Sequence, residues 1–225
     1  PDKLVDEAEV GRSVRVRFSG SRVDGWIIER TCREVLDETA RIESVVSSIP
    51  ELTPALYETA RRIAARFLAT TSQVLSLAIP PRHARGERQV VEAQAPAWPT
   101  LEAPSGSQQW GAYSAGQALL NRLSVGESPR AVVTALRPLI RRCLSDAVAA
   151  TVSSGRSVII VTATGEDAAR YARALEEDLG VCVALAGGEV APEERYRVHV
   201  AATMGHVPIV VGTRSAVWVP CAKLG

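Results

Sequence analysis

From residue 130 onward, short β-branched runs alternate with stretches of helical period, and this alternation limits the fold more than any other feature. The apolar runs are RAVVTA (130–135), SVIIVTA (157–163), VCVALA (181–186) and PIVVGT (208–213), with amphipathic segments at 139–153, 166–179 and 192–204 between them. A strand followed by a helix and another strand pairs in parallel, because the helix carries the chain back along the sheet. The expected class is therefore α/β with a parallel sheet. Thr164, three residues before Asp167, reads as the cap of the second helix, and Pro192 suits the first turn of the third. The last run breaks at once into Gly212, Thr213, Arg214 and Ser215. In open parallel sheets ligands gather at the carboxyl ends of strands, where a glycine admits close backbone approach and hydroxyls with an arginine hold phosphate. That phosphate belongs to a nucleotide or to a nucleic-acid backbone. The competing reading is a polar turn whose Thr213 and Ser215 bond local backbone.

The opening of the chain obeys a different period. In SVRVRF (13–18), Val14, Val16 and Phe18 share one face and Arg15 and Arg17 the other, which is the pattern of a half-buried strand. The turn SGSR leads to VDGWIIE, where Val23, Trp26, Ile27 and Ile28 mark a second strand, so the first fifty residues read as a small antiparallel β-domain. Residues 11 to 33 hold six arginines against Asp24 and Glu29. Arg15, Arg17 and Arg22 are accordingly candidates for phosphate contact, with an ordinary solvated face as the alternative. From Thr53 to Leu68 the period is helical, with Leu56, Ala60, Ile63, Ala64 and Phe67 on an apolar stripe and Arg61, Arg62 and Arg66 off it. Pro54 suits the first turn. The proline-, glycine- and serine-rich stretch that follows reads as a linker, giving a division into 1–80, a linker at 81–112, and 113–225.

Composition removes several classes. With 225 residues and 46% hydrophobic content the chain can bury a core. No run of eighteen apolar residues and no leader pattern occurs, so no membrane partner is expected and the protein reads as cytoplasmic. Pro1 in place of an initiator methionine, and an end just past a motif, lead to the expectation of a longer polypeptide. Cys32, Cys143, Cys182 and Cys221 are far apart without a CxxC and read as reduced structural thiols, and His83, His199 and His206 share no metal spacing. The 26 basic residues include only two lysines, Lys3 and Lys223.

On these residues a family resemblance becomes specific. The segment GGEVAPEERYRVHVAATMGHVPIVVGTRSAVWVPCAKLG resembles the stretch of the primosomal replication-restart helicases (primosomal protein N′, PriA) that runs through a glycine, an ER pair, a helix, a glycine, IVVGTRSALF and a proline. The matches are Gly188, Glu194, Arg195, Gly205, Val210 to Ala216 and Pro220. VGRSVRVRFSGSRVDGWIIE is similar to the family's domain for nascent 3′ DNA ends, through Gly11, Val14, Arg15, Val16, Phe18, Gly25 and Ile27, and 52–81 resembles the helix and return that close that domain. The resemblance implies a β-rich 3′-end and fork DNA-binding domain followed by a RecA-like helicase lobe, of which only the N-terminal lobe is present. The arginine-rich, lysine-poor composition points to an actinobacterial-type member. In this superfamily the GTRS-type loop faces the DNA strand, which implies DNA contact at Gly212, Thr213, Arg214 and Ser215.

The family's ATP loop is where the sequence dissents. A phosphate-binding loop needs glycines for an amide nest, a lysine for the β- and γ-phosphates and a hydroxyl for magnesium. The corresponding stretch is ALRPLIRR (135–142), in which Ala135, Pro138, Ile140, Arg141 and Arg142 stand where those residues should be, and no lysine occurs from 4 to 222. The segment after the second strand, VTATGED, is eroded as well, and Gln117, the counterpart of an adenine-reading glutamine, reads as polar surface on a helix. No catalytic residue, metal ligand or cofactor is therefore expected in this segment. The ATP and magnesium the family implies lack their loop, and zinc is expected of the family beyond Gly225. The resulting expectation is a restart protein that binds forked DNA with a 3′ end and assembles primosome and replicative-helicase-loading proteins, with single-stranded DNA-binding protein as a further partner, and without helicase activity. The alternatives are an active ATP-dependent 3′-to-5′ helicase, and an α/β enzyme binding a small phosphorylated ligand.

Overall fold

In the computed structural model, which describes residues 2–31, 40–187 and 190–225, the chain divides into two units between Glu92 and Ala93. Cys32, Arg33 and Gly188 lie outside the described residues.

The first unit begins with helix α1 (Asp2–Glu7) and a three-stranded antiparallel sheet of β1 (Ser13–Phe18), β2 (Ser21–Trp26) and β3 (Ile42–Val45), ordered β2-β1-β3. Ser19 and Gly20 take φ of 48° and 82°, the left-handed pair that a two-residue hairpin requires for its twist. This turn fixes the register, so that Arg15 lies opposite Asp24 and Arg17 opposite Arg22. Helix α2 (Pro54–Phe67) starts as expected, with Thr53 accepting from the Leu56 N–H at 3.2 Å and Pro54 in the first turn. It buries Leu56, Ala60 and Ala64. Phe67, expected on the same stripe, is instead exposed, because the helix ends there and the chain turns into α3 (Thr71–Ala78).

The expected linker at 81–112 is shared between the units. Residues 84–92 form α4 (Ala84–Glu92), and its Glu87 is buried. That carboxylate accepts from the Ser48 N–H (2.7 Å), the Ser48 hydroxyl and Arg82 Nε (2.6 Å), which ties the helix to the loop before α2. A buried charge held on several sides is costly to break. Further along, Trp98 packs against the core of the second unit and donates to the Val152 carbonyl at 3.5 Å.

The second unit opens with α5 (Gln108–Gly111) and α6 (Gly116–Ser124), which pack Trp110 and Leu120 against Cys143 and Ala150 of α7 (Arg137–Ser153). Then follow β4 (Val158–Val161), α8 (Gly165–Leu179), β5 (Ala184–Ala186), α9 (Pro192–Thr203) and β6 (Ile209–Gly212). The strands pair in parallel in the order β4-β6-β5. Because β6 is central it is buried on both faces, and its period of two divides the core. Ile209 and Val211 join Val148, Val152, Ala168, Ala172 and Leu175, while Val210 joins Ala186, Val198 and Ala216. At about 1.5–3 kcal/mol for each fully buried aliphatic side chain, this strand anchors the unit. Thr164 caps α8 by accepting from the Asp167 N–H at 3.1 Å, and Pro192 opens α9.

The strand expected at 130–135 does not form. Residues 127–136 hold no regular element, and Val132 is 98% exposed. An apolar run becomes a strand only with a ladder partner, and these residues have none among those described. No described helix is long and apolar enough to cross a membrane.

Candidate nucleic-acid interface

The arginine face of the first sheet is real, but it is not a row of free cations. Arg15 grips Asp24 through Nε to Oδ1 at 2.7 Å and Nη2 to Oδ2 at 3.1 Å. The Arg15 guanidinium holds the Asp24 carboxyl below the usual carboxylate range. Arg17 and Arg22, opposed across the hairpin, share Glu43 at 3.2 and 3.0 Å. Glu43 reaches both because the β1–β3 register slips between Arg15 and Val16, leaving Glu43 as the extra residue of a bulge. Bulges re-aim a side chain in this way. All of these groups are open to water, so they form an ordered array of three guanidiniums and two carboxylates. The Asp24 partnership follows from the hairpin register, which a turn at Ser19–Gly20 sets; counting across SGSR would have placed Arg17 there instead. The bulge at Glu43 was not readable in the sequence.

The polar cluster after β6 has the opposite character. Thr213 leads into a short 3₁₀ helix over Arg214–Trp218, which buries Ala216 and leaves Arg214 and Ser215 exposed. Among the described residues the side chains of Thr213, Arg214 and Ser215 make no hydrogen bond or ion pair, whereas the reading as a locally bonded turn requires such bonds from Thr213 and Ser215. Gly212 has a structural reason of its own. A Cβ there would strike the Ala186 carbonyl and come within 2.8 Å of the Ala216 methyl, so the glycine permits β5, β6 and the 3₁₀ helix to close on one another. The neighbouring strand ends belong to the same platform. Thr162 donates its N–H to the Gly212 carbonyl at 2.8 Å and its hydroxyl to the Thr164 carbonyl at 2.8 Å.

The segment aligned with the ATP loop is a helix start. Ala135 and Leu136 precede α7, and Pro138 in its first turn has no N–H. The amides of Leu139 and Ile140 donate to the Leu136 carbonyl at 2.9 and 3.1 Å, which removes the open nest that phosphate needs. Arg141 turns toward α8, with Nη2 on Asp178 at 2.6 Å and Glu177 at 3.0 Å and Nε on Asp178 at 3.1 Å. Ser145 adds a hydrogen bond to Asp178 at 2.7 Å, and Arg142 is exposed. Gln117 donates to Asn121 at 3.0 Å along α6. Among the described residues no group of three His, Cys, Asp or Glu is arranged to hold a metal. Cys143, Cys182 and Cys221 are free thiols, and burial pushes Cys221 up to about 11.

The Arg141 clasp holds the Asp178 carboxyl below its usual range, with Ser145 assisting. A depressed carboxyl contributes stability above its unfolded pKa and loses it as pH falls through the folded one. Arg141→Ala is expected to raise the Asp178 pKa toward the ordinary carboxylate value and to flatten the acid limb of the stability profile. Carboxyl-carbon NMR titration of Asp178 checks this, and an unmoved midpoint would remove the clasp from the account.

Residues 1–80 match the model of the PriA 3′DNA-binding domain (3′BD). Over an alignment of 232 positions that covers the whole of this chain, it is 38% identical to a protein of Mycobacterium tuberculosis (strain CDC 1551 / Oshkosh) named "Probable replication restart protein PriA". A protein of the same name from Mycobacterium leprae (strain TN) is 32% identical over 98% of the chain. The chain spans 34% of the length of each of these relatives. The first unit is thus a 3′-DNA-binding module placed ahead of a parallel α/β unit. The chain belongs to the PriA family of replication-restart proteins.

Proposed function

We propose that this chain is the fork-binding portion of a replication-restart protein that engages DNA with a free 3′ end and serves primosome assembly without helicase activity of its own. The observation that carries the DNA reading is the 3′-DNA-binding module over residues 1–80, with Arg15, Arg17 and Arg22 on its sheet. The unpartnered donors of Thr213, Arg214 and Ser215 support a second contact on the α/β unit. The absence of a glycine nest and a lysine at 135–142 supports the motor-less half of the proposal. Primosome proteins, replicative-helicase-loading proteins and single-stranded DNA-binding protein are its proposed partners.

Binding is expected to be largely electrostatic. With about three phosphates neutralised, log affinity should fall against log salt with a slope of roughly −3 on duplex-like DNA. Alanine at Arg15 and Arg17 should weaken binding evenly across sequences, since phosphate contacts position rather than specify. Glu43→Gln should act in the opposite direction, because it releases both Arg17 and Arg22 from their shared carboxylate. Fluorescence anisotropy on forked, 3′-tailed and blunt DNA across a salt series tests all three. A salt-independent affinity, or equal affinity for blunt duplex and for forks with a 3′ end, would overturn the reading.

A further inference from the structure

Where α2 turns into α3, Phe67 and Leu68 stand in water, 72% and 97% exposed. The residue that ends a helix in the left-handed region is ordinarily glycine. Here Leu68 takes φ 53° and ψ 34°, a conformation that costs an L residue with a side chain. The left-handed turn ends the helix, but neither the exposed apolar surface nor the presence of a side chain at that position helps the fold. Yet the corner is firmly held, because the Ala64 carbonyl accepts the N–H groups of Leu68 and Ala69, and Thr70 and Gln73 close a reciprocal capping box on α3. Strain that the surroundings over-determine is a signature of function when it is observed rather than assumed.

Charge indicates what meets this corner. The exposed side of α2 carries Arg61, Arg62 and Arg66 against Glu58 alone. Glu58 engages Arg61 and Arg62 at 3.2 and 3.0 Å. Arg66 has no carboxylate partner among the described residues, and its guanidinium carbon lies 5.9 Å from the centre of the Phe67 ring. A rigid apolar tip rimmed by guanidiniums suits a partner with flat apolar faces flanked by phosphates, and nucleic acid has both. We propose that Phe67 and Leu68 stack on the bases laid open at the junction of a DNA fork while Arg61, Arg62 and Arg66 hold the adjacent phosphates. This rests on the fork-binding reading above. Apolar side chains are placed against unstacked base steps in this way by proteins that distort DNA, and a rigid corner does so without an ordering cost.

The test uses the full-length protein, Leu68→Gly and Phe67→Ala, a fork carrying 2-aminopurine at its junction, and a 3′-tailed single strand with no junction. Leu68→Gly relieves the left-handed strain, so its melting temperature should equal or exceed that of the unaltered protein. Fork affinity should nevertheless fall about tenfold, in the range of a lost base-stacking contact. The loss should not depend on salt, the 2-aminopurine response should vanish, and affinity for the single strand should stay within about twofold, since that strand has no junction for the corner to cover. Equal loss on fork and single strand would overturn the junction contact, as would variants that bind the fork like the unaltered protein. In that last case, an unaltered protein that still prefers forks to duplex leaves the parent reading standing. If Phe67→Ala melts early, Leu68→Gly alone decides.

Discussion

Forked DNA is expected to leave ATP hydrolysis by the full-length protein at its DNA-free background, with no strand separation, while fork binding persists. Phosphoryl transfer depends on a cradle of amides, a lysine and a magnesium ion held partly by a hydroxyl. At 135–142 Pro138 removes one amide, two others are closed on Leu136, and neither lysine nor hydroxyl occurs. Arg141 is no substitute, since reaching a phosphate would cost it three hydrogen bonds to Asp178 and Glu177. Losing one such stabilising group costs roughly 10²–10³ in rate, so the loss of the set should place turnover below detection. Phosphate release measured with and without forked DNA checks this. A DNA-dependent rate that disappears on changing Arg141 or Arg142 would make the ATP-driven helicase reading the leading one.

Gly212→Ala is expected to be the most damaging single substitution at the GTRS loop. The added methyl would strike the Ala186 carbonyl of β5 and crowd Ala216, both fixed by the buried centre of the sheet. Overpacking typically costs 1–3 kcal/mol, and a clash with backbone that cannot rotate away belongs at or above the top of that range, about 3 kcal/mol or more. Urea unfolding of the second unit should show a lower midpoint. Unchanged stability accompanied by lost DNA affinity would mean that the glycine is kept for a ligand's approach and not for strand closure.

The alternation of runs and helices predicted β4, β5, β6 and α7 to α9 because that pattern records burial directly. Helix starts were legible for the same reason at Pro54, Thr164 and Pro192, where local chemistry decides, although the cap at Thr53 was not read. The pattern failed where long-range pairing decides. Residues 130–135 have the composition of a strand and no neighbour to make them one. Residues 84–92 looked like linker because the helix is held by a buried carboxylate, Glu87, and only one of its apolar side chains, Val90, is buried. The candidate arginines were found, but their condition was not. Arg15 meets Asp24 because the loop is the two residues Ser19 and Gly20 and not the longer SGSR turn, and the slip that brings Glu43 between Arg17 and Arg22 leaves no mark in the sequence. Gly212 was identified as important for a ligand's sake, and the structure gives it a packing role that can be judged only once Ala186 is known to lie beside it.

The hydrogen bond from the Thr162 N–H to the Gly212 carbonyl bears on how the adjoining loop would meet anything at all. A loop that hangs freely gives up chain entropy each time it is captured, and its partners meet many of its shapes before the right one. Thr213, Arg214 and Ser215 begin from a carbonyl that is anchored to the end of β4 by the Thr162 N–H, and they run straight into a turn closed by the Ala216 N–H on the Thr213 carbonyl at 2.8 Å. Their backbone is therefore already set, and what freedom remains lies mainly in the Arg214 side chain. The cost of fixing one such side chain is about 0.5–1.5 kcal/mol, small beside that of ordering a whole segment. Recognition at this end of the sheet would then be a matter of fit on first encounter, with little rearrangement to slow capture or release.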